Sequence, residues 1–221
     1  MGREEDMKNV IGIVVSYLFI FCIMLIAKLF EKMGKETSRK FIHIMLSNWW
    51  FIAMYFFDHW AFAAFVPATF VLINFISYKK NLIGVMERER SEEEGLGTVY
   101  YAITLLVLAI ITFAIQKPEL GLIPVLIMGY GDGLAAVIGN TIKSKQYKVG
   151  KATKSVAGSV TMFLVSLVIL LCCLGVLGIS YWYIKAFVLA IILTILEGVA
   201  GKGTDNLLVP LSCFIMLLLV G

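Results

Sequence analysis

Eight apolar stretches, most of them joined by turns too short to fold on their own, leave this chain one kind of environment. They run 10–30, 41–57, 59–77, 99–116, 119–142, 156–178, 181–199 and 206–220. A helix needs about 20 apolar residues to cross the hydrocarbon core of a bilayer, and most of these stretches approach that length. Of the 221 residues 60% are hydrophobic and 15% charged, with a mean hydropathy of +0.92. A soluble domain carries about 25% charged residues, so a water-soluble fold is excluded. The expected fold class is an all-α integral membrane protein, a polytopic bundle of about eight transmembrane helices with no soluble domain. It fills 1–221 as a single transmembrane domain, with 79–98 as its one long hydrophilic loop.

The first apolar run follows an acidic start, Met1-Gly-Arg-Glu-Glu-Asp6, and lacks a small-residue cleavage motif. It is expected to stay as a first span rather than act as a signal peptide. Asp6 stands where a myristoylation signal needs Ser or Thr. Cys22, Cys172, Cys173 and Cys213 all fall inside apolar runs without zinc-like or disulfide-like spacing, which makes them packing residues.

The net charge of +4 is less informative than its placement. Basic residues gather in alternate connections: Lys28, Lys32, Lys35, Arg39 and Lys40; Lys79, Lys80, Arg88 and Arg90; Lys143, Lys145, Lys148, Lys151 and Lys154. The turns between, around Asp58, Lys117 and Ser180, are nearly uncharged. The positive-inside rule then places the basic loops and Lys202 in the cytoplasm and both termini outside, and the polar clusters of the chain converge on the cytoplasmic side. The run Glu87-Arg-Glu-Arg-Ser-Glu-Glu-Glu94 reads as a solvated helix or loop. Trp49, Trp50, Trp60 and Trp182 sit near span ends, as interfacial anchors do.

An ionised group at bilayer depth costs roughly 2.5–3.5 kcal/mol on insertion scales, so intramembrane polar clusters need a reason. Gly129-Tyr-Gly-Asp-Gly-Leu-Ala-Ala-Val-Ile-Gly-Asn140 sets Asp132, Ala136 and Asn140 on one helical stripe. A carboxylate with an amide two turns away suits a hydrated divalent cation such as Mg2+. Helix packing through Gly129 and Gly133 explains the glycines, although not Asp132. Lys151-Ala-Thr-Lys-Ser-Val-Ala-Gly-Ser159 opens the sixth span. Its free N–H groups, the Ser155 and Ser159 hydroxyls and the Lys151 and Lys154 ammoniums form a site for phosphate. The plainer alternative makes the lysines topology signals and Ser155 a helix cap. The Walker A spacing is absent.

Glu197 closes the seventh span and Asp205-Asn206 opens the eighth, across a reversal permitted by Gly198, Gly201 and Gly203. One of Asp205 and Asn206 is needed as a cap. Glu197 and Asp205 would join Asp132 in an acidic pocket for one or two cations. Arg39 and His43 share a face at the start of the second span. An imidazole one turn into an apolar span needs a partner and can move a proton near neutral pH. Arg39 and Lys40 equally suit contacts with lipid headgroups.

Taken in order, Arg39-Lys40-x-x-His43, Gly131-Asp132-Gly133-Leu-Ala-x-x-x-Gly139, Lys154-Ser-x-Ala-Gly-Ser159 and Glu197…Asp205-Asn206-Leu-x-Val-Pro210 resemble the motifs of the polyprenol kinase family. That family comprises phytol, farnesol and dolichol kinases and CTP-dependent diacylglycerol kinases. The resemblance covers residues from about 39 to 211. It implies transfer of the terminal phosphate of a nucleoside triphosphate, typically CTP, to the hydroxyl of an isoprenoid alcohol such as phytol, farnesol, geranylgeraniol or a longer polyprenol, with a divalent metal. By position it assigns Asp132, Glu197 and Asp205 to metal, and Asn206 with them to nucleotide. Lys154, Ser155, Gly158 and Ser159 go to the phosphates, while Arg39, Lys40 and His43 stabilise charge or help deprotonate the alcohol. The implied partners are the lipid alcohol, the nucleotide and the bilayer, with a second copy of the chain admissible and nucleic acid not expected. Lys202-Gly203-Thr204 departs from the last motif. The competing readings are a phosphatidate cytidylyltransferase, which also uses CTP and metal, and a small transporter.

Overall fold

The computed structural model describes residues 2–80, 96–149, 152–201 and 203–220. The Glu-Arg run of the third connection, along with Lys151 and Lys202, lies outside the described residues. The chain packs as two compact units, Met1–Leu122 and Ile123–Gly221.

The first unit is built on α1 (Gly2–Phe30), a continuous apolar helix. A 3-10 turn at Glu31–Met33 and Gly34, whose φ of 128° suits only glycine, reverse the chain into α2 (Lys35–Ser47). Ser38 buries its hydroxyl by donating to the Ala27 carbonyl at 2.7 Å, which ties the two helices. Residues 41–57, read from sequence as one span, fold as two helices: α2 ends at Ser47 and α3 (Trp49–Phe56) begins after Asn48. The Asn48 carboxamide donates back to the Met45 carbonyl at 3.2 Å, and such local bonding competes with helix continuation. Trp49 and Trp50 then point into protein rather than anchoring at an interface. They are almost fully buried, and their indole N–H groups donate to Ser16 Oγ and to the Pro118 carbonyl, each at 2.9 Å. Trp60 and Trp182 are exposed, as interfacial residues are.

The turn at Asp58 is fixed by Asn9 of α1, whose carboxamide donates to Asp58 Oδ1 at 2.7 Å and accepts from the Asp58 N–H at 3.3 Å. Helix α4 (Trp60–Lys80) carries Pro67 in its interior, packs along α5 (Gly97–Ala114), and touches α1. The Tyr17 and Thr69 hydroxyls bond at 2.7 Å between α1 and α4.

Helix α6 (Glu119–Leu126) leads into the second unit and passes through a π-helical turn at Ile127–Asp132 into α7 (Gly133–Thr141). A short antiparallel hairpin of β1 (Gln146–Val149) and β2 (Ala152–Ser155) follows. Helices α8 (Val156–Val176), α9 (Trp182–Val199) and α10 (Asp205–Val220) complete the unit. Its core joins Ile127 to Met162 and Leu170 of α8, Leu189 and Leu193 of α9, and Val209 and Cys213 of α10.

Among the described residues six helical segments are long and apolar enough to cross a membrane: Glu4–Phe30, Trp60–Lys79, Gly97–Ala114, Glu119–Thr141, Val156–Val176 and Trp182–Val199. Helix α10 is apolar but shorter. Large side chains such as Leu18, Phe21, Val168 and Ile195 stand exposed on the helix surfaces, an arrangement costly in water and natural in lipid. The chain is an all-α polytopic membrane protein, and its described residues form no soluble domain.

Candidate active site

The second unit gathers three carboxylates. Asp132 ends the π turn, Glu197 lies in the last turn of α9, and Asp205 is the first residue of α10. One oxygen from each lies within 4.8 Å of the other two. Glu197 is buried, at 4% exposure, and Asp205 is mostly buried.

Lys154 closes the group. Its ammonium pairs with Glu197 and stands 3.6 Å from Asp205 Oδ2. Burial pulls the Lys154 pKa down, but the Glu197 and Asp205 charges, the hydrogen bond to Glu197 and the charge of Asp132 overcome it. The net result lies above the ordinary lysine value, so the group stays protonated. The all-oxygen donor set of three carboxylates suits a hard divalent cation, and among the described residues no His or Cys joins the group. Asp205 also accepts the neighbouring Asn206 N–H at 3.1 Å.

The hairpin presents Lys154. Its base is tied to α8 by the Val156 N–H donating to the Lys145 carbonyl at 2.9 Å and the Ala157 N–H donating to Ser144 Oγ at 3.1 Å. Opposite Lys154 in register is Tyr147, so the two side chains share a face. The Tyr147 hydroxyl bonds Ser159 Oγ at 2.6 Å and sits beside Gly198, where an added Cβ would come within 3.3 Å of it. Tyr147 drew no notice in the sequence, because only the strand register reveals which residue pairs with Lys154.

The remaining candidates fall into distinct places. Ser155 is the N-cap of α8: its hydroxyl accepts the Gly158 N–H at 3.2 Å and lies 3.3 Å from the Gly139 carbonyl, to which it donates. Gly158 packs against α7. A Cβ there would stand 2.9 Å from the Ala135 carbonyl oxygen and 3.6 Å from Gly139 Cα. Asn206 is buried one residue beyond Asp205, while Asn140 is exposed and Lys151 is outside the described residues. In the first unit Arg39 pairs with Glu36 on α2, and Lys40 and His43 are buried. The His43 carbonyl accepts the Tyr101 hydroxyl at 3.1 Å and its ring meets the Tyr101 ring edge-on, with centroids 4.8 Å apart. The structure thus brings together Asp132, Lys154, Glu197 and Asp205 in one unit, with Arg39, Lys40 and His43 in the other.

Fold and site together define a multi-pass membrane protein with a lysine-closed carboxylate cluster at the ends of its helices. No family model matches the chain, and no solved structure does. Among curated proteins, it is 30% identical over 218 residues to a phytol kinase of Synechocystis, covering 91% of this chain and 87% of that protein. It is 29% identical to phytol kinase 1 of Arabidopsis thaliana and to a probable phytol kinase 1 of Oryza sativa, both chloroplastic, over 80% of this chain in each case. The chain spans 64% and 62% of the length of those two plant proteins. It belongs to the phytol kinase-like polyprenol kinase family.

Proposed function

We propose that this protein is a lipid kinase that passes the terminal phosphate of a nucleoside triphosphate, CTP in the first instance, to the hydroxyl of a membrane-dissolved isoprenoid alcohol such as phytol. The observation that carries the reading is the cluster of Asp132, Glu197 and Asp205 closed by Lys154, in a chain whose relatives are named phytol kinases. Asp132, Glu197 and Asp205 would hold Mg2+ or another divalent cation, which when bound neutralises triphosphate charge. Phosphoryl transfer asks a protein chiefly for positioning and charge neutralisation.

Lys154 supplies a cation paired with the cluster, able to exchange a carboxylate partner for a phosphate oxygen. The hairpin fixes the base of that side chain, and the Tyr147–Ser159 bond holds the hairpin on α8. Asn206 offers a carboxamide one residue from Asp205 for nucleotide recognition. His43 is the candidate for taking the proton from the alcohol, with Arg39 and Lys40 as nearby positive charge. The basic loops support a cytoplasmic side for this chemistry.

The test is purified protein with terminally labelled CTP, ATP or GTP against phytol, other prenols and diacylglycerol. Label is expected in a prenyl phosphate, with activity lost in Asp132→Asn and Asp205→Asn proteins that still insert and melt like the parent. Label leaving as pyrophosphate in the presence of phosphatidate would make the protein a cytidylyltransferase. Full turnover in both variants would remove the site assignment.

A further inference from the structure

The first unit contains a feature that the carboxylate cluster does not use. A cavity of about 40 Å³, contributed to by all five helices of α1 to α5, is walled by apolar side chains including Trp49, Phe70, Ala102 and Leu105. Asn74 and Tyr101 are its polar lining. Both are buried, at 6% and 5% exposure, and both are held: Asn74 donates to the Thr98 carbonyl at 3.1 Å and Tyr101 to the His43 carbonyl. The polar groups are therefore fixed by backbone carbonyls, and the walls offer water nothing.

A cavity needs about 10–15 Å³ on this measure to admit one water, and an apolar one stays dry and takes up apolar guests. At that ratio 40 Å³ admits roughly three methyl-sized groups, a branched hydrocarbon segment rather than a whole lipid chain. An apolar void of this size with Asn74 and Tyr101 at its edge suits part of a chain that bears methyl branches and ends in a hydroxyl. The polar edge leads through Tyr101 to the His43 ring, and Lys40, one turn from His43 on α2, is buried as well.

Resting on the kinase reading above, we infer that this cavity is the prenyl-chain subsite: it holds a methyl-branched segment of the isoprenoid alcohol, with the hydroxyl end on the Tyr101–His43 side. Chain selection then resides in α4 and α5.

Two arms test it. In the first, wild-type protein in phosphatidylcholine nanodiscs is photolysed with phytol carrying a diazirine on its chain, and adducts are mapped by mass spectrometry. Adducts on α4 and α5 around Phe70, Ala102 and Leu105, competed by unlabelled phytol, are expected. Adducts confined to other helices, or competed only by added phospholipid, would overturn the inference. In the second arm Ala102→Leu fills the void. Its melting temperature is expected to hold or rise, while KM for phytol rises about tenfold relative to KM for a short prenol, the usual worth of a misfitted pocket group. Leu105→Ala, which enlarges the void, should shift preference towards bulkier chains. Equal chain preference in both variants would overturn the inference while leaving the kinase reading intact. Competed adducts without phosphoryl transfer from any nucleotide would retain the cavity as a lipid site and reject the kinase.

Discussion

Replacing Lys154 with methionine keeps the volume of the side chain and removes the ammonium that pairs with Glu197 and stands beside Asp205. Glu197 has 5% of its side chain exposed, and Lys154 and Asp205 have 17% and 14%. Breaking a buried pair by deleting one partner costs about 3–5 kcal/mol, because a charge is left uncompensated. Partial exposure of two members sets the expectation at the low end, about 3 kcal/mol, or more than a hundredfold in the unfolding equilibrium. The assay is SDS titration of the purified protein in mixed micelles, run in chelator and in excess magnesium. In chelator Lys154→Met should unfold well before the parent. In magnesium the gap should shrink, since a divalent cation takes over the neutralising role, and Lys154→Met should bind that cation more tightly than the parent does. Adding Glu197→Gln to Lys154→Met should recover part of the loss. Parental stability of Lys154→Met in chelator, or a magnesium response that persists after Asp132→Asn and Asp205→Asn are combined, would refute the reasoning.

Two further substitutions separate architecture from ligand binding. Gly158→Ala forces a methyl to 2.9 Å from the Ala135 carbonyl oxygen, which cannot yield without moving α7; a loss of about 1–3 kcal/mol on the same titration is expected, the usual cost of overpacking. Ser155→Ala removes the α8 cap and should cost about 1 kcal/mol, with a nucleotide KM close to the parent's if capping is the whole role of that hydroxyl and a raised KM if it also meets phosphate.

Long apolar runs made the membrane fold readable, because in lipid a chain must satisfy its backbone within helices or barrels. Asp132, Glu197 and Asp205 stood out for the same reason: a carboxylate at that depth needs an explanation. Lys154 and Ser155 were legible as residues, and a cap at Ser155 stood as the plainer alternative, but the turn of Lys154 to the carboxylates was not legible. One turns to the carboxylates and the other caps a helix, and this depends on the hairpin that precedes α8. Tyr147 was invisible for the same cause, since a four-residue strand of mixed polarity carries little periodic signal. Trp49 and Trp50 misled because aromatic residues near a span end look alike whether they face headgroups or, as here, fill the core beside α1 and Pro118. Gly158 reads from sequence as part of a phosphate site, and the structure adds that it sits at a close helix crossing, which no spacing announces.

The π turn that ends at Asp132 sets which way that carboxylate faces. An α-helix advances about 100° per residue, and a π turn absorbs one extra residue without disturbing the helix on either side. Closing Ile127–Asp132 into regular α-helix at constant length would swing the helix on one side of it about a quarter-turn against the other, taking the carboxylate out of reach of Glu197 and Asp205. Loss of one residue from that stretch would let an α-helix run through with Asp132 still in phase, whereas substitutions that close the turn at full length would disarm the site with every charged residue still present.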